Sequence, residues 1–208
     1  MVDSRRYAPA TERNRQPILD VLHKVLPNTG TVLEIASGTG EHATFFAPRL
    51  SHLHWLPSEP DPESRASVTA WVKALPSDNL IDPLALDVSQ QPWPVEQEGF
   101  KLAQPITAIV NINMLHISAW EMCQHLMAGA QRVLPSDGVL YLYGPFKREG
   151  QQTAPSNEAF DAMLRDRNPN WGIRDLEAVS QVARKHALTL TDVIPMPANN
   201  FSVVFRRD

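Results

Sequence analysis

Apolar and polar residues follow two different periods along this chain. Runs of apolar and β-branched residues predict buried strands, and apolar residues that recur every three or four positions predict helices with one buried face. The predicted strands are 31–36, 52–56, 84–86, 106–111, 139–143, 188–194 and 201–205. The predicted helices are 11–26, 41–50, 63–75, 118–134, 156–167 and 175–186. Ser118 and Glu121 have the spacing of a capping box at the start of the fourth helix.

The order of these elements predicts an α/β fold. Strands alternate with helices over most of the chain, which is typical of a doubly wound sheet with helices on both faces. The last two predicted strands are an exception, because the connection at 195–200 is too short for a crossover helix. We therefore expect a mostly parallel sheet whose final two strands pair in antiparallel fashion.

Length and composition narrow the class of protein. The 208 residues fit one domain over 1–208, in which we expect 1–27 to form an N-terminal helical extension or lid. The single cysteine, Cys123, excludes a disulfide framework and a cysteine cluster, and we expect no metal site. A net charge of −4 disfavours a nucleic-acid partner. Because no apolar run could span a bilayer, we expect a cytoplasmic protein without a membrane partner.

A glycine-rich turn at 37–40 follows the first predicted strand. In open α/β sheets, ligands bind at the carboxyl ends of the strands, where glycine allows a tight turn and a close approach of the ligand to the backbone. The candidate ligand-binding residues here are Glu34, Ala36, Ser37, Gly38 and Gly40.

Two acidic residues come after the next two predicted strands. Glu59 is placed to accept hydrogen bonds from ribose hydroxyls, and Asp87 to accept one from an adenine amine. Gly38, Gly40 and Ala43, followed by Glu59, satisfy the loose dinucleotide fingerprint, so an NAD-dependent reductase is one interpretation. The same set satisfies a site for S-adenosylmethionine (SAM).

Several segments resemble the class I SAM-dependent methyltransferase superfamily. The segment 32–40 resembles its first motif, 111–116 the segment after its fourth strand, and 134–138 the turn before its fifth strand. Asp87 matches its third-strand acid. The resemblance implies a seven-stranded sheet in the order 3-2-1-4-5-7-6 with a reversed last strand. It also implies SAM as cofactor, with Glu34 near the methionine ammonium, Glu59 on the ribose, Asp87 on the adenine, and Asn111 and Asn113 beside the methionine part.

A closer resemblance runs over nearly the whole chain. The segments 8–14, 57–59, 113–116 and 197–201 together resemble the methyltransferase-like protein 26 family. This resemblance implies the fold and the class of cofactor, but it brings no established substrate. Glu59 stands where aspartate is also common, which lengthens the expected ribose contact by one methylene.

Catalytic candidates are few, as expected for a reaction that depends mainly on positioning. His116 follows the fourth predicted strand and is either a general base or a partner for a loop carbonyl. Tyr143 ends the fifth strand and either acts in catalysis or packs in the core. Arg13, Asn14 and Asn199 are candidates for binding the substrate.

The sequence thus predicts a SAM-dependent methyltransferase that acts on an unidentified small-molecule acceptor. A SAM-binding or partner-binding module without catalysis is the main alternative, and the NAD-dependent reductase is a third. A cleft above His116 that is open to solvent would favour the enzyme, and a pocket plugged by Tyr143 would favour the module.

Overall fold

Eight strands and six helices make up the fold in the computed structural model, which describes residues 3–208. The strands are β1 (Thr31–Ile35), β2 (His54–Ser58), β3 (Ile106–Ile112), β4 (Val139–Gly144), β5 (Phe146–Lys147), β6 (Arg174–Asp175), β7 (Leu188–Met196) and β8 (Asn200–Arg207). The helices are α1 (Pro9–Val25), α2 (Glu41–Phe46), α3 (Pro62–Ala74), α4 (Trp120–Val133), α5 (Pro155–Arg167) and α6 (Leu176–Lys185). Short 3-10 helices lie at Ala47–Arg49, Pro94–Glu96, Met114–Ile117 and Pro197–Asn199.

The main sheet has six strands in the order β2-β1-β3-β4-β8-β7. Strands β1 to β4 are parallel to one another, and β8 runs antiparallel to both β4 and β7. A separate two-stranded sheet pairs β5 with β6. The expected α/β fold, with its mostly parallel sheet and antiparallel final pair, is confirmed.

Two apolar cores lie on opposite faces of the main sheet. Because successive side chains of a strand point to opposite faces, Val32 and Leu33 of β1 belong to different cores. The core with Val32 lies under α1 and α2, and the core with Leu33 lies under α4 and α6. Every residue of β1 is buried, as expected for a parallel strand that is covered on both faces. Helices therefore cover both faces, as predicted.

The expected seven-stranded order is wrong, because the main sheet has only six strands. The predicted strand at 84–86 meets the edge strand β2 only through an isolated bridge at Leu84, and a second isolated bridge joins β2 to Leu80 earlier in the chain. Between these bridges lies Pro83, which has no amide hydrogen to donate to a ladder. The six remaining strands keep the expected order.

The predicted capping box at the start of the fourth helix is also wrong. Helix α4 begins at Trp120 with Ala119 as its N-cap, so Ser118 lies one position too early to cap it. The Ser118 hydroxyl is buried and has no hydrogen-bond partner among residues 3–208.

The N-terminal region that we expect to be an extension or lid consists of α1 and the segment before it, with residues 1 and 2 outside the described part. Ile18 and Leu22 of α1 are fully buried in the core. Over residues 3–208, no helix combines the length and apolar character needed to cross a bilayer.

Candidate functional site

The glycine turn after β1 uses its two glycines differently. A Cβ at Gly40 would come within 2.7 Å of the Val68 Cα, so this glycine allows α3 to pack against the turn. A Cβ at Gly38 would have no atom within 4 Å, so this position faces open space. Both have positive φ angles, +57° at Gly38 and +93° at Gly40, which favour glycine. Gly38 therefore leaves room for a ligand, and Gly40 leaves room for a helix.

Glu59 lies directly beside this turn, as predicted. Its Oε2 accepts a hydrogen bond from the Gly38 amide at 2.9 Å, and its Oε1 accepts one from the Asp61 amide at 3.1 Å. Burial raises the pKa of Glu59, although these two amides oppose the shift. The structure thus holds a buried carboxylate at the rim of the open space at Gly38.

Glu34 is a second buried carboxylate, on β1. Its Oε2 accepts a hydrogen bond from the Trp55 indole at 2.7 Å, and only 2% of the residue is exposed. Burial raises the pKa of Glu34 to about 7, Trp55 and Ser37 oppose this shift, and the charge of Glu59 adds to it. Neither Glu34 nor Glu59 forms an ion pair within residues 3–208. A positively charged ligand beside the turn would relieve this uncompensated charge.

Three further predicted cofactor residues are Asp87, which comes after the isolated bridge at Leu84, and Asn111 and Asn113, which lie at and just after the end of β3. Asp87 is partly exposed, and its Oδ1 accepts hydrogen bonds from the Ser89 amide at 2.9 Å and from the Ser89 hydroxyl at 2.7 Å. The buried Asn111 donates from Nδ2 to the Ile35 carbonyl at 3.0 Å, which joins the ends of β3 and β1. Asn113 has a φ of +66°, and its amide donates to the Tyr143 carbonyl at 2.8 Å.

A cavity of about 760 Å³ lies at the carboxyl ends of β3 and β4, between α1, α5 and the 3-10 helix Pro197–Asn199. It brings together all five residues predicted for catalysis or substrate binding, together with one predicted for the cofactor. These residues are Arg13, Asn14, Asn113, His116, Tyr143 and Asn199. The wall of this cavity does not include the glycine turn. The cavity is therefore distinct from the open space at Gly38, which we call the cradle.

Helix α5 contributes cavity residues that the sequence analysis missed. Ser156, Asn157 and Phe160 line the cavity, and no motif in the sequence marks them. A signal did exist, because the predicted helix at 156–167 follows the fifth strand. The start of this helix was therefore bound to lie near the ligand edge of the sheet.

His116 presents a neutral imidazole to the cavity. Burial, and to a lesser extent the charge of Arg174, lowers the pKa of His116 to about 4. The ring packs edge-on against Phe160, with 5.4 Å between centroids. The ring nitrogens have no hydrogen-bond partner within residues 3–208, so the loop carbonyl considered from the sequence does not hold the ring.

Tyr143 both packs in the core and lines the cavity, so the two sequence interpretations are compatible. Burial raises the pKa of Tyr143, and the Asn14 side chain offsets part of this shift. The Oδ1 of Asn14 lies 2.8 Å from Nε2 of the buried His42, which fixes the orientation of Asn14. Near neutral pH the Tyr143 phenol therefore keeps its proton and can donate a hydrogen bond.

The start of α1 is tied to the glycine turn. The Arg6 amide donates to the Ser67 hydroxyl, and that hydroxyl donates to the Thr39 carbonyl, both at 2.8 Å. The Ala8 amide donates to the Glu41 carboxylate at 2.6 Å. These contacts fix the position of the first turns of α1, and hence of Arg13, relative to the cradle.

Several solved methyltransferases share this fold. An O-methyltransferase family 2 protein from Planctomyces limnophilus, solved with apigenin, matches with a TM-score of 0.76 and 17% identity over 96% of this chain and 60% of that chain. Human N-acetylserotonin methyltransferase, solved with SAM, matches with a TM-score of 0.73 and 13% identity over 95% of this chain and 52% of that chain. CalO1, a methyltransferase in calicheamicin biosynthesis solved with S-adenosylhomocysteine (SAH), matches with a TM-score of 0.71 and 16% identity over 96% of this chain and 56% of that chain.

At these identities the likeness shows the fold alone, and the chain spans only 52 to 60% of the length of those proteins. The fold is that of SAM-dependent methyltransferases. The chain belongs to the family described as "Protein of unknown function (DUF938)", whose model matches residues 5–207. That description assigns no activity.

The buried Glu34 predicts a pH-dependent effect on stability. Its pKa is about 7 in the folded protein against an ordinary 4.5, so the folded state disfavours the ionised form. Stability therefore falls as the pH rises from 4.5 to 7, and the cost is present in full above pH 7. We expect Glu34→Gln to raise the melting temperature at about pH 8 by about 2–4 °C, which corresponds to about 1 kcal/mol.

The same substitution should have little effect at about pH 5, where the folded protein already holds Glu34 largely protonated. Scanning calorimetry at the two pH values measures the difference. Glu12→Gln on the exposed side of α1 is the matched control, since it removes an acid without changing a buried site. An equal gain for Glu34→Gln at both pH values would contradict the assignment.

Proposed function

We propose that this protein is a SAM-dependent methyltransferase that acts on a small-molecule acceptor. The observation that carries this proposal is the buried carboxylate of Glu59, which accepts from the Gly38 amide beside open space and forms no ion pair within residues 3–208. A second buried carboxyl group, Glu34, lies close enough for the charge of Glu59 to raise its pKa. SAM carries a positive ammonium and a positive sulfonium, so this cradle suits it. The shared fold with solved methyltransferases supports the proposal.

The same electrostatics disfavour NAD as the ligand. A dinucleotide places a negatively charged pyrophosphate on the amides of the glycine turn. Here the Gly38 amide already donates to Glu59, and a second carboxylate is buried nearby at Glu34. A pyrophosphate at this turn would meet negative charge in place of free donors.

Each part of SAM has a residue suited to it. Glu59 would accept from the ribose hydroxyls, and Asp87, whose Oδ2 has no donor among residues 3–208, would accept from the adenine amine. Glu34 would favour the methionine ammonium, directly or through water. Asn113 and the more deeply buried Asn111 would border the methionine part.

When bound, SAM supplies a methyl group whose bond to sulfur breaks as the acceptor atom forms its own bond to carbon, with the electron pair remaining on sulfur. The cavity would hold the acceptor in line, and such positioning lowers a barrier by about 7–11 kcal/mol. The neutral His116 would accept the proton that the acceptor loses and pass it to water. Tyr143 would orient the acceptor by donating a hydrogen bond.

The size of the cavity favours an enzyme over a binding module. A volume of about 760 Å³ accommodates a drug-sized molecule, and Tyr143 lines the cavity without filling it. The resemblance to the methyltransferase-like protein 26 family agrees with the proposed cofactor. That closeness, the cytoplasmic location and the role of 1–27 as a lid stay predictions.

Filling the cradle should abolish binding of SAM. Gly38 faces open space, so Gly38→Val creates no clash in the protein but occupies the position of the ligand. The positive φ adds backbone strain of about 1–2 kcal/mol. We expect titration calorimetry to detect no SAM binding to this variant, whereas the wild type binds.

Gly150→Val is the matched control, because Gly150 also has a positive φ (+74°) and open space, in a turn remote from the cradle. The free energy of unfolding should fall by a similar amount in both variants, and only Gly38→Val should lose the ability to bind SAM. Unchanged affinity in Gly38→Val would end the cofactor assignment.

Removal of the Asp87 carboxylate, the proposed hydrogen-bond acceptor for the adenine amine, should weaken the binding of SAM by a moderate amount. We expect Asp87→Ala to cost about 1–3 kcal/mol of binding free energy, the range for a buried hydrogen bond that is no longer made. Calorimetry with the inosine analogue of SAM, which lacks the amine, tests the same contact. The analogue should bind the wild type more weakly than SAM, and equal binding would contradict the role of Asp87.

Replacing His116 should slow methyl transfer without affecting cofactor binding. We expect His116→Gln to reduce the transfer of labelled methyl from SAM to small molecules of a cell extract by about 10²–10⁴. Affinity for SAH should stay within about twofold. Because the pKa of His116 is about 4, the wild-type rate at saturating SAM should not fall between about pH 8 and pH 6. A loss of rate that tracks a group with a pKa near 6.5 would contradict this role.

A further inference from the structure

Arg13 gives the cavity its charge. Among residues 3–208 it is the one lining side chain that is charged at neutral pH, because His116 is neutral and no carboxylate of this range contributes to the wall. Arg13 is exposed and forms no ion pair within residues 3–208. The guanidinium is therefore available to form a bidentate hydrogen bond with a carboxylate or phosphate.

Two helices begin at the same cavity, and both begin with alanine and proline. Ala8 precedes α1 and Ala154 precedes α5 at the N-cap position, and neither helix has a side-chain cap. The first turns line the cavity through Ala10 and Ser156. Uncapped amides and the positive end of the helix dipole favour an anion, and α1 and α5 are 17 and 13 residues long.

The acidic residues near these helix ends lie outside the cavity. Glu41 accepts from the Ala8 amide but belongs to a different surface pocket. Glu12 and Glu158 lie in the first turns of α1 and α5 and are exposed. Among residues 3–208, none of the three lines the cavity, so Arg13 meets no carboxylate there, although the Ala8 amide is already bonded to Glu41.

An independent feature indicates that this cavity is built for a ligand. His116 is only 6% exposed and lines the cavity, yet its ring nitrogens have no hydrogen-bond partner within residues 3–208. Buried polar side chains are nearly always paired, so an unpaired imidazole that lines a cavity is suited to form a hydrogen bond with a ligand there. Phe160 and Pro145 supply apolar walls for the carbon skeleton of that molecule.

We propose that the methyl acceptor is a small organic anion whose carboxylate or phosphate group binds Arg13 between the first turns of α1 and α5. Its skeleton packs on Phe160 and Pro145, and its reacting group faces His116. This inference rests on the proposed function, because it assigns the acceptor of the methyltransferase.

Matched probes of different charge test the proposal. Benzoate, phenyl phosphate and neutral benzamide share a ring and are titrated by calorimetry into the SAH-saturated protein. We expect at least one anion to bind about tenfold more tightly than benzamide, and its affinity to fall between about 0.05 M and about 0.5 M NaCl. The two anions distinguish a carboxylate site from a phosphate site. Equal binding of all three probes, or no binding, would overturn the proposal.

Arginine variants locate the effect. Arg13→Gln should remove the advantage of the anion, and Arg13→Lys should keep part of it. Arg15→Gln is the matched control, because Arg15 lies on the same helix but packs over Phe45, outside the cavity. Loss of the advantage in both Gln variants would mean that the cavity does not hold the anion.

A separate titration with SAH keeps the two proposals distinguishable. Arg13→Gln should bind SAH as the wild type does, and an affinity about tenfold weaker would assign Arg13 to the methionine carboxylate and overturn the acceptor proposal. If the wild type binds no SAH, the proposed function fails. The probe titrations, repeated without SAH, then still decide whether the cavity holds an anion.

Discussion

Two carboxylates buried at the ends of β1 and β2 constrain the arrangement around them. Removing a carboxylate from water is costly, so each must be held by hydrogen-bond donors. Trp55 donates to Glu34, and the amides of Gly38 and Asp61 donate to Glu59. These contacts join the glycine turn to the residues that follow β2 and place the Glu59 carboxylate at the turn. Within residues 3–208, neither carboxyl group forms an ion pair with a positively charged side chain.

The sheet topology explains how residues far apart in sequence reach one cavity. Strands β3 and β4 are adjacent and parallel, so their carboxyl ends lie at the same edge of the sheet. Asn113 follows β3 at this edge, and Tyr143 lies near the end of β4. The antiparallel pairing of β8 with β4 brings the loop with Asn199 to that same edge. Helix α1 packs on the same face as Val32 and carries Arg13 toward the cavity. Residues that are far apart in the sequence therefore meet in one site because of the order of the strands in the sheet.

Much of this arrangement could be predicted from the sequence because it follows from periodicity and strand ends. The helices, six of the seven strands and the antiparallel final pair were predicted. So was the proximity of Glu59 to the glycine turn, because an acid after the second strand must lie beside the turn after the first. Arg13, His116 and Asn199 were chosen one by one from their places along the chain, and only the structure shows that they share one cavity.

The failures have specific physical causes. The segment at 84–86 has the apolar pattern of a strand, but pattern does not register that Pro83 interrupts hydrogen bonding. Ser118 has the spacing of a cap, but tertiary packing starts the helix one residue later than the cap requires. Ser156 and Phe160 belong to no motif, so only the fold reveals that they line the cavity. The orientation of a side chain such as Asn111 depends on its neighbours in space.

The tie between Arg6, Ser67 and Thr39 has a consequence for how the two halves of the site are positioned. One hydroxyl joins the segment before α1 to the backbone of the glycine turn. The glycine turn and the segment that leads into the first helix are therefore held together by a single side chain, so the position of that helix depends on the same serine that anchors the turn.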